Sequence, residues 1–289
     1  MCIRDRYYTE DMPDGRVKHI VQNITDPDIV PYIPDGIGNS TDRQRIPAVL
    51  IIPGGAFRRL VYNFEGEDVA KWLNSMGIAA FVLECRLPSD EHDNAEDVPL
   101  IDAMRAMRVI RGRAQEFGID EAKIGVMGFS AGGFMAALLS TAYESDVYAD
   151  YKYKDEYDKL SARPDFAVCS YPVISIDDCI EAGKRYMSEE QVLERISDSK
   201  AKILHKYNPD KLVRPDMPPV FICETDDDRT TLSENSVGFY MAARKAGVSA
   251  ELHIFRTGGH GYGCGDDFAQ TGEWKVLFTK WIKSIGIIS

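Results

Sequence analysis

Short apolar runs alternate with longer helical patterns along most of this chain, and this alternation constrains the fold more than any other feature. Most of the runs are apolar on both faces, as expected for strands that helices cover on both sides. The runs that predict strands are residues 48–52, 78–85, 123–129, 166–171, 220–224 and 251–255. The segments that predict the main helices are residues 97–117, 131–139, 232–246 and 274–285. This alternation predicts an α/β fold of three layers, with a mostly parallel central sheet and helices on both faces.

Composition and charge exclude several classes of protein. The chain has 289 residues, of which 44% are apolar, as is ordinary for a globular protein. It contains no apolar run as long as the roughly 18 residues that a membrane-spanning helix needs, so we expect no membrane association. The net charge of −12 argues against a phosphate-binding surface, and we expect no nucleic-acid partner.

The cysteines bear on metal binding and on location. No C-x-x-C pair occurs among the 6 cysteines, so no structural zinc site is expected. Cys85, Cys169 and Cys223 lie in apolar runs, which is typical of buried thiols and favours a cytoplasmic location. The opening letters MCIRDR read like a translated transposon end from a sequencing library. If they are one, the natural start is missing, and a secreted or periplasmic location stays open.

Residues 128–132 form a G-x-S-x-G motif around Ser130. The motif follows the predicted strand 123–129 and opens the helix 131–139, which is the context that a nucleophile elbow requires. The serine of such an elbow sits on a sharp, strained turn, and side chains two residues away on either side would clash. Ser130 is therefore the candidate nucleophile, flanked by Gly128 and Gly132.

A serine hydroxyl is a poor nucleophile at neutral pH and needs a base, which an acid holds in the right tautomer. His260 stands in the glycine-rich segment 258–263 after the last predicted strand, where the glycines leave no packing reason for an imidazole. Asp226, Asp227 and Asp228 follow the strand 220–224, and the sequence does not choose among them. His253 lies inside a strand, and no third ligand accompanies His253 and His260, so no metal is expected.

Acyl-transfer chemistry also needs donors for a negatively charged oxygen. One should be the backbone N–H of Ala131, the residue after the candidate nucleophile. The second should come from residues 53–57 (PGGAF), because adjacent glycines after the first core strand allow close backbone approach to a substrate.

Together these pieces resemble the α/β-hydrolase superfamily, and within it the acetyl-xylan-esterase-like branch of bacterial carbohydrate and carboxyl esterases. The chain order Ser, Asp, His is that of the superfamily. The similarity covers nearly the whole chain, at residues 24–27, 32–34, 52–55, 65–66, 72–74, 102–106, 128–133, 170–175, 234–236, 251–255 and 258–261.

The resemblance implies roles for individual residues. Ser130 would be the nucleophile and His260 the base. In the family the acid stands six residues before the Glu-Asn-Ser triplet, here residues 234–236, which points to Asp228, with Asp227 as runner-up.

The resemblance also implies that the N–H of Gly54 or Gly55 acts with that of Ala131 as oxyanion donors. The family usually has Tyr where this chain has Phe57, and it often has His where this chain has Phe134. We expect both Phe side chains close to the pocket, which would make it less polar than is usual in the family.

The function implied by the resemblance is a serine esterase that hydrolyses short-chain, above all acetyl, esters of carbohydrates such as acetylated xylan oligosaccharides. No cofactor or metal is required for this chemistry. A general short-chain carboxylesterase is the alternative that the less polar Phe57 and Phe134 favour. A serine peptidase of the same superfamily and an inactive scaffold that serves as a binding protein are less well supported. The sequence does not indicate an oligomeric state.

We predict a single α/β-hydrolase domain over residues 1–289. Residues 1–46 are expected to wrap the sheet edge and to contribute an antiparallel strand near residues 16–23. The catalytic core would span residues 47–289, with insertions at about 142–163 and 177–217. These insertions would be either solvated surface segments or a lid over the site, and the Tyr-rich first insertion could offer stacking faces to sugars.

Overall fold

The structure of the chain is a computed structural model. It describes residues 6–37, 45–90, 92–149, 151, 153–185, 187–188, 190–192, 194, 202–265 and 270–289. The opening residues 1–5 and residues 195–201 of the second predicted insertion lie outside the described residues.

The described residues form two sheets. In chain order the strands are β1 Arg6–Asp11, β2 Val17–Gln22, β3 Asp28–Tyr32, β4 Ile46–Ile52, β5 Leu60–Val61, β6 Ala79–Glu84, β7 Ile119–Phe129, β8 Ala167–Ser170, β9 Val220–Thr225 and β10 Ala250–Phe255. The central sheet has the order β10-β9-β8-β7-β4-β6-β3. All its neighbours pair in parallel except β3, which runs antiparallel to β6 at the edge. Each of the six predicted core strands is therefore present, and the predicted mostly parallel sheet is confirmed.

The predicted antiparallel strand near residues 16–23 exists as β2, but it does not lie in the central sheet. It pairs with β1 and with the short strand β5 to form a separate sheet of three strands. The edge of the central sheet is instead β3, which begins six residues after β2 ends and pairs with β6 from Asp28, opposite Glu84, to Tyr32, opposite Ala80. The reason is that β1 and β2 pair with each other as a local hairpin. Its turn is held by hydrogen bonds from the Met12 N–H to the Arg16 carbonyl and from the Gly15 N–H to the Met12 carbonyl.

Helices cover both faces of the central sheet. They are α1 Asp68–Ser75, α2 Val98–Gly112, α3 Ala114–Phe117, α4 Ala131–Ala142, α5 Ile176–Lys184, α6 Lys202–Lys206, α7 Ser233–Lys245 and α8 Glu273–Ser284. Consecutive residues of β4 point to opposite sides of the sheet: Leu50 packs in one buried cluster and Ile51 in the other. The first cluster holds buried residues of α2, α4 and α7, and the second holds those of α1 and α8. This division makes the three layers that the sequence predicted.

The predicted helix 97–117 is two helices. Arg113 ends α2 with φ −99° and ψ 17°, and α3 follows at once and ends at Gly118, which has φ 69°. A break at one residue leaves the apolar spacing nearly unchanged, so the sequence pattern did not reveal it. Cys85, Cys169 and Cys223 are free and buried, as predicted.

The first insertion packs against α2. Arg105 of α2 binds Asp155 at 2.7 Å, and Arg108 lies 4.0 Å over the ring of Tyr148, which stacks on Tyr151. These Tyr rings are engaged by arginines of α2, and none of them lines the cavity described below. The second insertion contributes Leu204 of α6 to that cavity.

Candidate active site

The turn between β7 and α4 holds Ser130 in a conformation that few residues adopt. Ser130 has φ 55° and ψ −118° and is 8% exposed. A Cβ atom on Gly128 would lie 1.9 Å from the Gly132 carbonyl oxygen, and one on Gly132 would lie 1.9 Å from the Ile52 carbonyl oxygen. The two glycines of the motif are thus required by backbone contacts on both sides of the serine.

Gly132→Ala is therefore expected to lower the free energy of unfolding by about 3 kcal/mol, because the backbone of Ile52 cannot yield the space that a methyl group needs. The matched control is Gly238→Ala in α7, where an added Cβ meets no atom within 4 Å. That control should instead stabilise the helix by up to about 1 kcal/mol. Urea unfolding of the two variants measures both effects, and equal midpoints would contradict the steric argument.

Ser130, His260 and Asp228 form one hydrogen-bonded chain. His260 Nε2 lies 2.8 Å from Ser130 Oγ, and His260 Nδ1 lies 2.6 Å from Asp228 Oδ2. The three side chains follow β7, β10 and β9, whose carboxyl ends meet at one edge of the parallel sheet. The structure thus brings together three of the residues singled out by the sequence.

The surroundings of Asp228 distinguish it from its neighbours. Its side chain is fully buried, and its Oδ1 accepts the backbone N–H groups of Thr230 at 2.7 Å and Thr231 at 2.9 Å. The Thr231 hydroxyl donates to Oδ2 at 3.0 Å. Burial by itself would raise the pKa of Asp228, but the hydrogen bond to His260 and those from the backbone outweigh it and hold the pKa below its usual range. Asp228 is therefore a carboxylate at neutral pH.

Asp227 has a different partner. Its Oδ1 accepts the backbone N–H groups of Gly258 at 2.9 Å and Gly259 at 2.8 Å, so it fastens the start of the histidine loop, residues 258–263. Asp226 is exposed. Among the three adjacent aspartates, only Asp228 is within hydrogen-bond distance of His260 in the structure.

The glycine loop, residues 53–57, lies against the serine turn. The Gly54 N–H donates to the Glu65 carboxyl at 2.7 Å, and the Gly54 carbonyl accepts the Val61 N–H at 2.8 Å. In a trans peptide the C=O and the following N–H point in opposite directions, so the bond to Val61 leaves the Gly55 N–H pointing away from Val61. Gly55 has φ 144°, and a Cβ there would lie 2.0 Å from the Arg59 carbonyl oxygen.

Two backbone N–H groups belong to residues that line the same cavity as Ser130. Ala131 is the first residue of α4, so its N–H has no partner within the helix. Within the described residues, neither this N–H nor that of Gly55 meets a backbone acceptor, and both residues line one cavity with Ser130 and His260. Of the two glycines named from the sequence, Gly54 donates its N–H to Glu65, whereas the Gly55 N–H has no acceptor in the part of the chain that the structure describes.

The cavity above Ser130 has a volume of about 1230 Å³. The hairpin of β1 and β2 forms one wall with Tyr8 and Lys18, and Phe64 and Trp72 line another part. Phe57 also lines the cavity, as expected. Phe134 does not line it: the side chain is fully buried, and its ring lies 5.5 Å from that of Phe57, edge to face. Phe134 lies in the first turn of α4, where its side chain packs in the core behind Phe57.

Sequence reasoning missed several residues of the site. Glu65 and Tyr171 stand in segments of family resemblance, but no pattern gave either a role. Tyr171 has φ 36°, a strained value for a residue other than glycine, and its ring lies 5.0 Å from the ring of His260. The cavity wall formed by Tyr8 and Lys18 was also missed, because the amino-terminal segment carries no motif.

The remaining histidine of β10 has a partner outside the candidate site. His253 of β10 pairs with Glu251 at 2.8 Å and not with His260. In the part of the chain that the structure describes, no group of three or more His, Cys, Asp or Glu side chains is placed to hold a metal ion. Among the described helices, none has both the length and the apolar character needed to cross a bilayer.

The sheet order, the strained serine turn after β7 and the chain order of Ser130, Asp228 and His260 are those of an α/β hydrolase. Residues 37–242 match the BD-FAE family, to which the chain belongs.

Solved structures and curated relatives agree with this assignment. An acetyl ester-xyloside bifunctional hydrolase from Caldicellulosiruptor lactoaceticus is 36% identical, with a TM-score of 0.71 over 95% of this chain and 90% of that one. The carboxylesterase Cest-2923 from Lactobacillus plantarum WCFS1 matches with a TM-score of 0.72 over 99% of both chains, and at 21% identity it shows the fold alone. The predicted fold class is confirmed.

An acetylxylan esterase from Xylanibacter ruminicola is 31% identical over 240 residues, which are 82% of this chain and 45% of that protein. An endo-1,4-beta-xylanase B from Butyrivibrio fibrisolvens is 31% identical over 227 residues, which are 78% of this chain and 34% of that protein. The chain thus spans less than half the length of either relative. The resemblance to acetylxylan esterases that the sequence indicated is confirmed.

Proposed function

We propose that this chain is a serine esterase that removes acetyl groups from carbohydrate esters, in particular acetylated xylan oligosaccharides. The observation that carries the proposal is the hydrogen-bonded chain Ser130–His260–Asp228 beside the N–H groups of Gly55 and Ala131. A nucleophile, a base, an orienting acid and two oxyanion donors are the parts that acyl transfer needs.

In the proposed reaction His260 Nε2 takes the proton of Ser130 as Oγ attacks the acetyl carbonyl carbon. The carbonyl oxygen becomes negative and accepts hydrogen bonds from Gly55 and Ala131. His260 then gives its proton to the leaving sugar hydroxyl, which leaves an acetyl group on Ser130. Water, activated by the same imidazole, releases acetate and restores the serine hydroxyl. Asp228 holds the imidazole with Nδ1–H facing the carboxylate and stabilises the imidazolium that forms.

The size and the lining of the cavity support a sugar as the alcohol part. A volume of about 1230 Å³ exceeds the roughly 300–1000 Å³ that small-molecule pockets occupy. Tyr8, Phe64 and Trp72 offer aromatic faces on its walls, and such faces can pack against the apolar side of a sugar ring. The relatives whose names mention xylan or xyloside point to the same substrate class.

A general short-chain carboxylesterase is the alternative that one observation favours. Phe57 forms an apolar part of the cavity wall and is backed by Phe134. A preference for simple alkyl esters over acetylated sugars would support this alternative.

The test is acetate release from acetylated xylo-oligosaccharides beside hydrolysis of p-nitrophenyl acetate. Tyr8→Ala should raise KM for the oligosaccharides about three- to tenfold and leave KM for p-nitrophenyl acetate unchanged, since loss of an aromatic contact costs about 0.5–1.5 kcal/mol. The matched control is Tyr153→Ala, which removes an aromatic ring that is 78% exposed and lies outside the cavity. A sugar-binding wall would be contradicted if kcat/KM for the oligosaccharides, divided by kcat/KM for p-nitrophenyl acetate, were the same in the native protein, Tyr8→Ala and Tyr153→Ala. The substrate class would be contradicted if the native protein released no acetate from the oligosaccharides.

A further inference from the structure

We propose that Glu65 and Tyr171 form a positioning pair that fixes the glycine loop relative to the histidine loop, and so sets the distance between the oxyanion donors and His260. The inference rests on the proposed function, because it assigns these residues to the acyl-transfer site. Neither side chain is among the residues that would touch the reacting atoms in the proposed mechanism.

The first half of the link is the bond from Glu65 to the glycine loop. Glu65 lies in a π-helical turn, Asn63–Glu67, and π-helical turns are frequent at functional sites. One carboxyl oxygen accepts the Gly54 N–H at 2.7 Å, and Val61 holds the Gly54 carbonyl at 2.8 Å. Both the N–H and the carbonyl of Gly54 are thereby fixed. Because the Gly54 carbonyl and the Gly55 N–H belong to one planar peptide, the direction of the Gly55 N–H is fixed with them.

The second half of the link runs through Tyr171 to the histidine loop. The Tyr171 hydroxyl donates to the other Glu65 oxygen at 2.9 Å and accepts the Gly263 N–H at 3.0 Å. The ring of Tyr171 meets the ring of His260 edge to face, at 5.0 Å. A continuous path of three hydrogen bonds therefore joins Gly54 to Gly263, three residues beyond His260.

Burial makes this path rigid. Glu65 is 5% exposed and Tyr171 is fully buried, so water does not compete for their hydrogen bonds. Burial raises the pKa of the Tyr171 hydroxyl, which keeps its proton available for Glu65. Burial also raises the pKa of Glu65, and the hydrogen bonds from Tyr171 and Gly54 oppose that rise.

The backbone of Tyr171 has a partner at its N–H and another at its carbonyl. Its N–H donates to the Cys223 carbonyl at 2.7 Å, and its carbonyl oxygen lies 3.3 Å from the Thr231 hydroxyl oxygen. Thr231 in turn contacts Asp228. A strained backbone with φ 36° persists only where the surrounding structure determines it, and these bonds supply that constraint.

The test compares Glu65→Ala, Glu65→Gln and Tyr171→Phe in p-nitrophenyl acetate hydrolysis. Displacement of an oxyanion donor by about 1 Å costs about 10- to 100-fold, so Glu65→Ala should lower kcat by that factor with KM within about threefold of the native value. Glu65→Gln keeps an acceptor for Gly54 and should recover part of kcat. Tyr171→Phe should lower kcat about tenfold with KM likewise unchanged.

The matched control is Tyr207→Phe, which removes a buried tyrosine hydroxyl that donates to Asp97 away from the cavity. This control should leave kcat unchanged. Hydrogen exchange of the glycine loop and of the histidine loop supplies a readout that needs no activity. Glu65→Ala should speed exchange in both loops, whereas Tyr171→Phe should speed it mainly in the histidine loop.

The outcomes separate this inference from the proposed function. A native protein that hydrolyses no ester contradicts the proposed function, and the exchange measurement still decides whether the link exists. A native protein that is active, with Glu65→Ala within threefold of its kcat, overturns the positioning role. Unchanged exchange in the histidine loop of Glu65→Ala overturns the link, as does an equal loss of kcat in Tyr207→Phe. If Glu65→Ala does not fold, Glu65→Gln and Tyr171→Phe, which nearly conserve volume, carry the same comparison.

Discussion

Ser130→Ala is expected to lower kcat for ester hydrolysis by about 10⁶-fold, the loss typical of removing the nucleophile of a serine hydrolase. The physical reason is that Ser130 Oγ lies 2.8 Å from His260 Nε2, and among the described residues no other hydroxyl is within hydrogen-bond distance of that nitrogen. The residual rate should be that of water attack helped by the donors of Gly55 and Ala131. Steady-state kinetics with p-nitrophenyl acetate measures the loss.

The matched control is Ser140→Ala, because Ser140 is a buried serine of α4, the helix that begins directly after Ser130, and its hydroxyl donates to the Ala136 carbonyl. It should keep kcat within about twofold, since its hydroxyl takes no part in the proposed reaction. A fluorophosphonate probe should label the native chain and the Ser140 variant but not Ser130→Ala. Labelling of Ser130→Ala, or full activity of that variant, would show that another group is the nucleophile.

Asp228→Asn is expected to lower kcat by about 10⁴-fold, with the fold retained. The amide would present an N–H to His260 Nδ1, across the 2.6 Å contact that the carboxylate makes. The imidazole would then carry its proton on Nε2 and could not accept the serine proton. Kinetics of Asp228→Asn, Asp227→Asn and Asp226→Asn measured side by side would test this assignment.

The neighbouring variants act as graded controls. Asp226 is exposed and takes no part in the described site, so Asp226→Asn should keep native kcat. Asp227→Asn keeps an oxygen that can accept the N–H groups of Gly258 and Gly259, so its loss should stay below about tenfold. A larger loss of kcat in Asp227→Asn than in Asp228→Asn would show that Asp227, the runner-up from the sequence, is the acid that orients His260.

The pH dependence of stability offers a second measurement on Asp228→Asn. The folded pKa of Asp228 lies below its usual value, which is about 3.9 in unfolded chains. A group of this kind contributes stability above the unfolded pKa and loses it as pH falls through the folded pKa. The native chain should therefore exceed Asp228→Asn in free energy of unfolding at pH 7, and the difference should shrink below about pH 4. A difference that is constant with pH would contradict an ionised, hydrogen-bonded carboxylate.

Local sequence signals predicted the framework of the site. Apolar runs of strand length alternate with amphipathic segments, and this spacing depends only on neighbouring residues. The glycines at 128 and 132 follow from the sharp turn itself, and the structure shows the backbone atoms that exclude any larger residue. The parallel sheet also places the ends of β7, β9 and β10 at one edge, so Ser130, His260 and an aspartate were expected to meet there.

The choice among adjacent residues could not be made in the same way. Asp226, Asp227 and Asp228 are chemically identical, and only the path of the turn after β9 decides which carboxylate reaches His260. Gly54 and Gly55 differ because Glu65, eleven residues away in the chain, occupies one N–H and not the other. The partners of these groups come from distant parts of the chain and leave no local pattern.

The sequence by itself determined the layered α/β fold, the strained serine turn and the order of its chemical groups, because each follows from spacing and from the sterics of near neighbours. Three features were decided by the tertiary structure alone. Asp228 faces His260, Glu65 and Tyr171 join the glycine loop to the histidine loop, and the β1–β2 hairpin forms one wall of the cavity. Those contacts join residues far apart in the chain, and their geometry is fixed only when the sheet brings the strand ends together and burial removes water from between them.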